Sequence, residues 1–588
     1  MTRFDPLRVP MTGTHLVEAG AGTGKTWGLT ALYLRLIAEG RHRPRDVAVV
    51  TFTEAATREL RSRVRDRLVL LAQRMASPTP SADPVVEALA QRMADEPGAR
   101  TRIERAALEL DDATIATIHG FCRRVLSDFA LDAAQPFATL DPDDGSLMRA
   151  RAVRDCWRRF VVAGDPAEAD WVLSWLASSD ALVKWIEEAL RVPPERVTPH
   201  VDPAELAGLH AALDAQRAQA PRAALLRAAR DLGSTSALSR SAAAHSPYHD
   251  ATFARLVAEL HAWLEHARQD APVEAISAFT TACVASRRNP RRGVGWEPAE
   301  PAVLAWADAA LSAALDHAYA RRSAFLQRVL ADVRASIATQ KCEQRVLSFD
   351  DLVGDLRDVL AASPDVVEAI RARHAVALVD EFQDTDADQY AIFRALFHDR
   401  ADGALYLIGD PKQAIYRFRG GDVFAYRAAA RDAGENLWTL DDNWRSDERL
   451  IEAVNALFDE RRAVRPFVHE FITFRRAGYG VPRTRPPAMS PIDAPLVVWT
   501  HQAEDAQAKG ELAARIHDAV AAEVEKLLAA PHARGAPSIA VLVRDKYEVA
   551  GAVAALGRRG IGTSYTSAQS VYDEPEAAEL ATVLDALA

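Results

Sequence analysis

The stretch HLVEAGAGTGKTW (residues 15–27) decides the reading of the fold. A short apolar run ends at Ala19, small residues follow, and Gly24-Lys25-Thr26 closes the pattern A-x-x-x-x-G-K-T. A loop that turns its backbone N–H groups around a polyphosphate has no room for bulky side chains. Ala19, Gly20, Ala21, Gly22, Thr23 and Gly24 leave that room. Lys25 can reach the β and γ phosphates of a bound polyphosphate, and the Thr26 hydroxyl can bind Mg²⁺. The competing reading is a glycine-rich turn that happens to precede Lys-Thr.

Working outward, the first part of the chain alternates strand and helix. HLVEA (15–19) and VAVVTFT (47–53) read as buried strands. Leu29, Leu32, Leu36 and Ile37 line one face of the helix after Gly24. AVALVD (375–380) and ALYLIGD (404–410) return to strand character, as does SIAVLVRD (538–545) much later. This is the α/β pattern of a parallel sheet with covering helices. Between about 145 and 345 the texture is Ala-, Leu-, Arg- and Trp-rich with helical periodicity, which predicts a mostly helical insertion. A Pro-rich stretch at 482–495 marks a loop.

A phosphate loop alone does not choose among kinase, GTPase, transporter and helicase. ALVDEFQDTD (377–386) narrows the choice by placing Asp380 and Glu381 at the end of an apolar strand. Asp380 is suited to the Mg²⁺ shell, and Glu381 to orienting and deprotonating a water. An acidic turn with Asp384 or Asp386 as a helix cap is the alternative, but it explains one carboxylate better than two.

The bulk numbers fit a large soluble protein. The 588 residues are 49% hydrophobic and 26% charged, with 71 Lys plus Arg against 82 Asp plus Glu and a net charge of -11. That excludes a wholly basic binder but not a local basic track for nucleic acid. Cys122, Cys156, Cys283 and Cys342 lie far apart without a CxxC pair, against a zinc or iron–sulfur site. The first residues lack the apolar core of a signal peptide, and the expected compartment is cytoplasmic.

With DEFQDTD in place, the chain resembles the superfamily 1 helicases of the UvrD/Rep/PcrA type. The resemblance rests on stretches in the family's order: FDPLRVPMTG (4–13), VVTFTEAATRELRSRV (49–64), TIATIHGFCRRVL (114–126), IGDPKQAIYRFRGGDVFAY (408–426), LDDNWRS (440–446) and SIAVLVRDKYEVAGAVAALGRRGI (538–561). Within that superfamily the wording DEFQDTD, TIHGFC and GDPKQAIY is similar to the RecB group rather than AddA. The resemblance implies an ATP-dependent 3′→5′ DNA motor in double-strand-break repair, engaging single-stranded DNA and duplex ends with subunits like RecC and RecD. It implies a P-loop fold with two RecA-like motor domains: 1–140 with 345–437, a helical insertion at 141–344, and a second motor domain at 438–588. It also implies roles for single residues. Gln413 and Arg445 would face the γ-phosphate, Trp444 the adenine, and Phe52, His119, Phe418 and Arg419 the DNA. Core packing competes for Phe52, Phe418 and Trp444, and a plain helix start for His119. Thr12 stands where many relatives carry an adenine-reading Gln. The Arg-rich stretch 286–296 suits either a phosphate-contacting or a solvated loop.

The family's later helicase motifs and the nuclease domain of the RecB group are not found in the sequence. The expectation is therefore a second motor domain incomplete at its C-terminus, slow ATP turnover by this chain alone, and no nuclease activity. An ATP-binding DNA clamp or scaffold that does not translocate is the alternative.

Overall fold

The computed structural model describes residues 1–588 apart from 78, 130–145, 191–193, 195–196, 240–245, 266–269, 345–348, 417–420, 460–465, 481–493, 501–508, 530–537, 566–574 and 588. By compactness the chain divides into two units, residues 1–121 with 357–588, and residues 122–356.

The first unit is organised by a seven-stranded sheet. In chain order its strands are β1 (Thr2–Arg3), β2 (Gly13–Ala19), β3 (Val47–Thr51), β4 (Ile115–Thr117), β5 (Val376–Val379), β6 (Ala404–Gly409) and β7 (Leu437–Leu440). Their spatial order is β1-β7-β2-β6-β5-β3-β4, and every pairing is parallel. Strands β3, β5 and β6 are buried at every residue, as a sheet covered on both faces requires. Helix α1 (Lys25–Ala38) buries Leu29, Leu32, Leu36 and Ile37 in the core, and α2 (Glu54–Ala76) adds Leu60, Val64, Leu68 and Leu71. Because all strands run one way, their C-terminal ends share one edge of the sheet. The phosphate loop, Phe52, His119, Asp380, Glu381 and Gln413 all follow strand ends at that edge.

Two features depart from the sequence reading. Strand β7 pairs with β2, so the first sheet takes residues beyond the boundary expected at 437. The expected strand at 538–545 does not form: its described backbone joins no ladder, and Leu542 is 93% exposed. A strand needs a neighbour for its N–H and C=O groups. Among the described residues after 440, the only pairing is β8 (Asp442–Asn443) with β9 (Gly478–Tyr479). Asp545 instead caps helix Lys546–Arg558, accepting from Tyr547 N at 2.9 Å and Glu548 N at 3.0 Å. That helix packs on Lys509–Ala529 through Ala521, Val524, Ala555 and Leu556.

The second unit is helical among its described residues, apart from one isolated bridge between Leu238 and Arg288. Helix Pro301–Gln344 is 44 residues long, about 66 Å at 1.5 Å per residue. Its first half packs among Trp263, Tyr248, Phe253 and Phe279, and its second half among Trp171, Val172 and Leu182. The Arg-rich stretch is a built turn. Asn289 Oδ1 accepts from Arg291 N and Arg292 N, and Arg288 lies 5.7 Å from the Trp296 ring. No described helix is long and apolar enough to cross a membrane.

Candidate nucleotide cleft

The phosphate loop leaves β2 at Ala19 and enters α1 at Lys25. Two glycines take the left-handed backbone that L side chains avoid, Gly22 at φ +75° and Gly24 at φ +91°. Thr23 fastens the turn, its hydroxyl donating to Gly20 O at 2.8 Å. Gly22 also has to be bare. A Cβ there would lie 2.8 Å from Arg445 Cβ and 2.9 Å from Asn443 Oδ1.

Lys25 Nζ donates to Glu381 Oε2 at 2.7 Å. Glu381 sits just past β5 in left-handed backbone, φ 50°. For a glutamate that is a strained conformation, of the kind found where a side chain must be aimed. Its neighbour Asp380 is anchored to β3 by donating N–H to Val50 O at 2.8 Å, and its carboxylate accepts from Glu381 N at 3.0 Å. Burial and the adjacent Glu381 push the Asp380 carboxyl up to about 6, against the opposing pull of Lys25 and that amide. Asp384 is pushed up to about 6 in the same way, by burial and then Glu381. The bland alternative holds for Asp386 alone, which caps helix Ala387–Phe397 by accepting from Gln389 N at 2.8 Å.

Gln383 joins the carboxylates to the next strand. Its Nε2 donates to Glu381 Oε2 at 2.7 Å, and its Oε1 accepts from Asp410 N at 2.9 Å. Asp410 Oδ2 in turn accepts from Gln413 Nε2 at 2.8 Å. From the far side of β7, residues 443–445 grip the loop. Trp444 N donates to Gly22 O at 2.8 Å, and Asn443 Nδ2 to Ala21 O at 2.9 Å. Asn443 Oδ1 accepts from the backbone of Arg445 and Ser446, so one amide shapes both segments. Trp444 is 53% exposed with Gly480 against its ring, and Arg445 is exposed with its Cβ over Gly22.

Lys25, Thr26, Asp380, Glu381, Gln413, Trp444 and Arg445 thus surround one loop. Asn443, Gln383 and Glu18 were not expected. Gln383 and Asn443 lie inside quoted motifs, and Glu18 is a charge in an apolar strand, a signal that the sequence did offer. The donor set fits a magnesium nucleotide. Asp380 is a buried carboxylate at a strand end that accepts from Glu381 N, and Mg²⁺ commonly takes one or two protein oxygens and fills its shell with phosphate and water.

Of the expected DNA contacts, Phe52 stacks on Tyr416 with ring centroids 4.9 Å apart. His119 is half-buried in the first turn of the helix Ile118–Asp128. Thr117 ties that helix to α2, donating to Glu54 Oε1 at 3.1 Å and accepting from Gly120 N at 3.2 Å. Phe418 and Arg419 lie outside the described residues.

A parallel sheet carrying a phosphate loop, an adjacent Asp-Glu pair and a strand-end glutamine is the architecture of a P-loop motor. The model of the UvrD/REP helicase N-terminal domain matches residues 5–434, and the chain belongs to that family. Among curated proteins it is similar to the RecBCD enzyme subunit RecB of Escherichia coli K12, 32% identical over 99% of this chain and 50% of that protein. The Haemophilus influenzae RecB is 28% identical over 99% of this chain and 52% of its own length. The Mycobacterium tuberculosis RecB is 28% identical over 100% and 43%. The chain therefore spans about half the length of the curated relatives it matches.

Proposed function

We propose that this chain carries the ATP-hydrolysing machinery of a RecB-type 3′→5′ DNA helicase, a cytoplasmic enzyme of double-strand-break repair working with RecC-like and RecD-like subunits. Residues 1–140 with 345–437, extended by the rest of β7 to 440, are the first motor domain, 141–344 its helical insertion, and the residues after 440 belong to the second. The observation that carries the reading is the convergence of Lys25, Glu381, Gln413 and the 443–445 segment on one glycine loop, with Lys25 and Glu381 2.7 Å apart.

The chemistry asked of these residues is positioning and charge balance. Backbone N–H groups of Gly20–Thr26 cradle the phosphates, and Lys25 neutralises charge on the transferred group. Glu381 orients the attacking water and takes its proton. Gln413 and Arg445 face the γ-phosphate from the loops after β6 and β7, so its presence is felt by both segments. Trp444 offers its ring to the adenine. Thr26 and Asp380 would hold Mg²⁺, which would supply charge neutralisation for the phosphoryl group during hydrolysis. Phe52, His119, Phe418 and Arg419 are the proposed DNA contacts, and stacking on bases is tolerant of sequence and suits a translocating motor.

The test is ATP hydrolysis by the protein assembled with its partner subunits, with and without duplex ends bearing a 3′ strand. Stimulation by DNA that vanishes in Lys25→Ala is expected. Turnover that ignores DNA would sink the reading.

A further inference from the structure

A second charged group lies behind the phosphate loop. Glu18 interrupts the apolar run of β2 and is 8% exposed. Lys412 Nζ forms an ion pair with Glu18 Oε1 and another with Asp410 Oδ1 at 2.8 Å. Burial opposes the Lys412 charge, yet Asp410 and Glu18 together hold its pKa above the ordinary lysine value. One ammonium thus stands between two buried carboxylates, an arrangement that would be costly with any one member removed.

The position of this cluster gives it a task. Asp410 divides its oxygens: Oδ1 accepts from Lys412 N at 3.0 Å and from Lys412 Nζ, while Oδ2 accepts from Gln413 Nε2. Asp410 N leads through Gln383 to Glu381 and so to Lys25. The polar chain therefore starts at Glu18 on β2, crosses the β6 and β5 ends, and returns to Lys25 at the other end of the same loop. Lys412 is where the chain fastens to β2.

We propose that Lys412 is a positioning residue for γ-phosphate recognition: its pairs with Glu18 and Asp410 hold the 410–413 loop where Gln413 meets the terminal phosphate. This rests on the cleft reading above. Lys412 commits its ammonium to the Glu18 and Asp410 carboxylates, so it acts on the triphosphate through Asp410 and Gln413.

Lys412→Met alone leaves two buried carboxylates facing each other and endangers the fold. The informative variant is Lys412→Met combined with Glu18→Gln. Its melting temperature is measured with its affinities for Mg-ADP and for the non-hydrolysable Mg-AMPPNP on the 588-residue chain, beside wild type and Gln413→Ala. The expected result is Mg-ADP affinity within about two-fold of wild type and Mg-AMPPNP affinity about ten-fold lower, the loss of one hydrogen bond to a charged group. Gln413→Ala should show the same fall in the triphosphate-to-diphosphate ratio. An unchanged ratio in the folded double variant, or equal weakening for both nucleotides, overturns the proposal. If wild type binds neither nucleotide, or Gln413→Ala leaves the ratio alone, the cleft reading itself fails and the proposal goes with it.

Discussion

Lys25 and Glu381, 356 residues apart in sequence, hold each other at 2.7 Å. The lysine is the expected phosphate ligand and the glutamate the expected base for water. On the proposed function, a polyphosphate in the loop would compete for the same ammonium and free the carboxylate. Two substitutions separate the roles. Lys25→Ala should cut turnover by about 10²–10³-fold, the usual loss when a charge clamp on a transferred phosphoryl group goes. Its melting temperature should stay near wild type, because Lys25 packs in no apolar core and Glu381, 36% exposed, keeps its bond from Gln383 and can be solvated. Glu381→Gln should keep nucleotide binding and lose about 10²–10⁴ in hydrolysis. Steady-state turnover and nucleotide titration of the assembled enzyme check both, and retained hydrolysis in a folded Glu381→Gln protein would remove the base assignment.

Gly22→Ala tests the grip of residues 443–445 on the loop. The added methyl meets Arg445 Cβ at 2.8 Å in a backbone region that costs non-glycine residues about 1–3 kcal/mol. Nucleotide affinity should fall by more than about ten-fold, because loop and gripping segment must part by several tenths of an ångström or more. Wild-type affinity in this variant would mean that the 443–445 contact is dispensable.

Asp380→Asn links stability to pH. The folded pKa is raised to about 6, so between the ordinary aspartate value and pH 6 the folded state holds more protons than the unfolded one. Stability from this group therefore falls as pH rises through that window, and the cost is fully present above it. Asparagine removes the cost while its Oδ1 can still accept from Glu381 N. The variant should melt higher than wild type at pH 7, with a gain of at most about 3 kcal/mol, and the gain should shrink towards pH 4. Magnesium-dependent hydrolysis should be lost. Equal melting curves at both pH values would show that the carboxylate is not held at a cost.

Phe52→Ala addresses the strand path. If the Phe52–Tyr416 stack is a platform for bases, single-stranded DNA binding should weaken by about 1–3 kcal/mol while nucleotide affinity holds. A drop in melting temperature with unchanged DNA affinity would instead return Phe52 to simple packing.

Much of the site was legible along the chain because it is local. A phosphate loop needs small residues in one unbroken stretch, and a strand buried on both faces must be apolar throughout, as Val47–Thr51 and Ala404–Gly409 nearly are. The adjacent carboxylates 380 and 381 are legible for the same reason: they follow such a strand directly. The run 538–545 misled because apolar strand character says nothing about whether a neighbouring strand is there to pair with.

The sequence by itself determined the order of the strands along the chain, the glycine-rich loop between β2 and α1 and the residue types that line it. Only the tertiary structure decided which of these meet. Glu18 and Lys412 stand 394 residues apart, and Asn443 lies 422 residues from Ala21. Each pairing depends on the sheet order that sets β2 between β6 and β7. The physical reason is that a buried charge must find a partner wherever the fold supplies one, and that choice is made by packing across the sheet, not by distance along the chain.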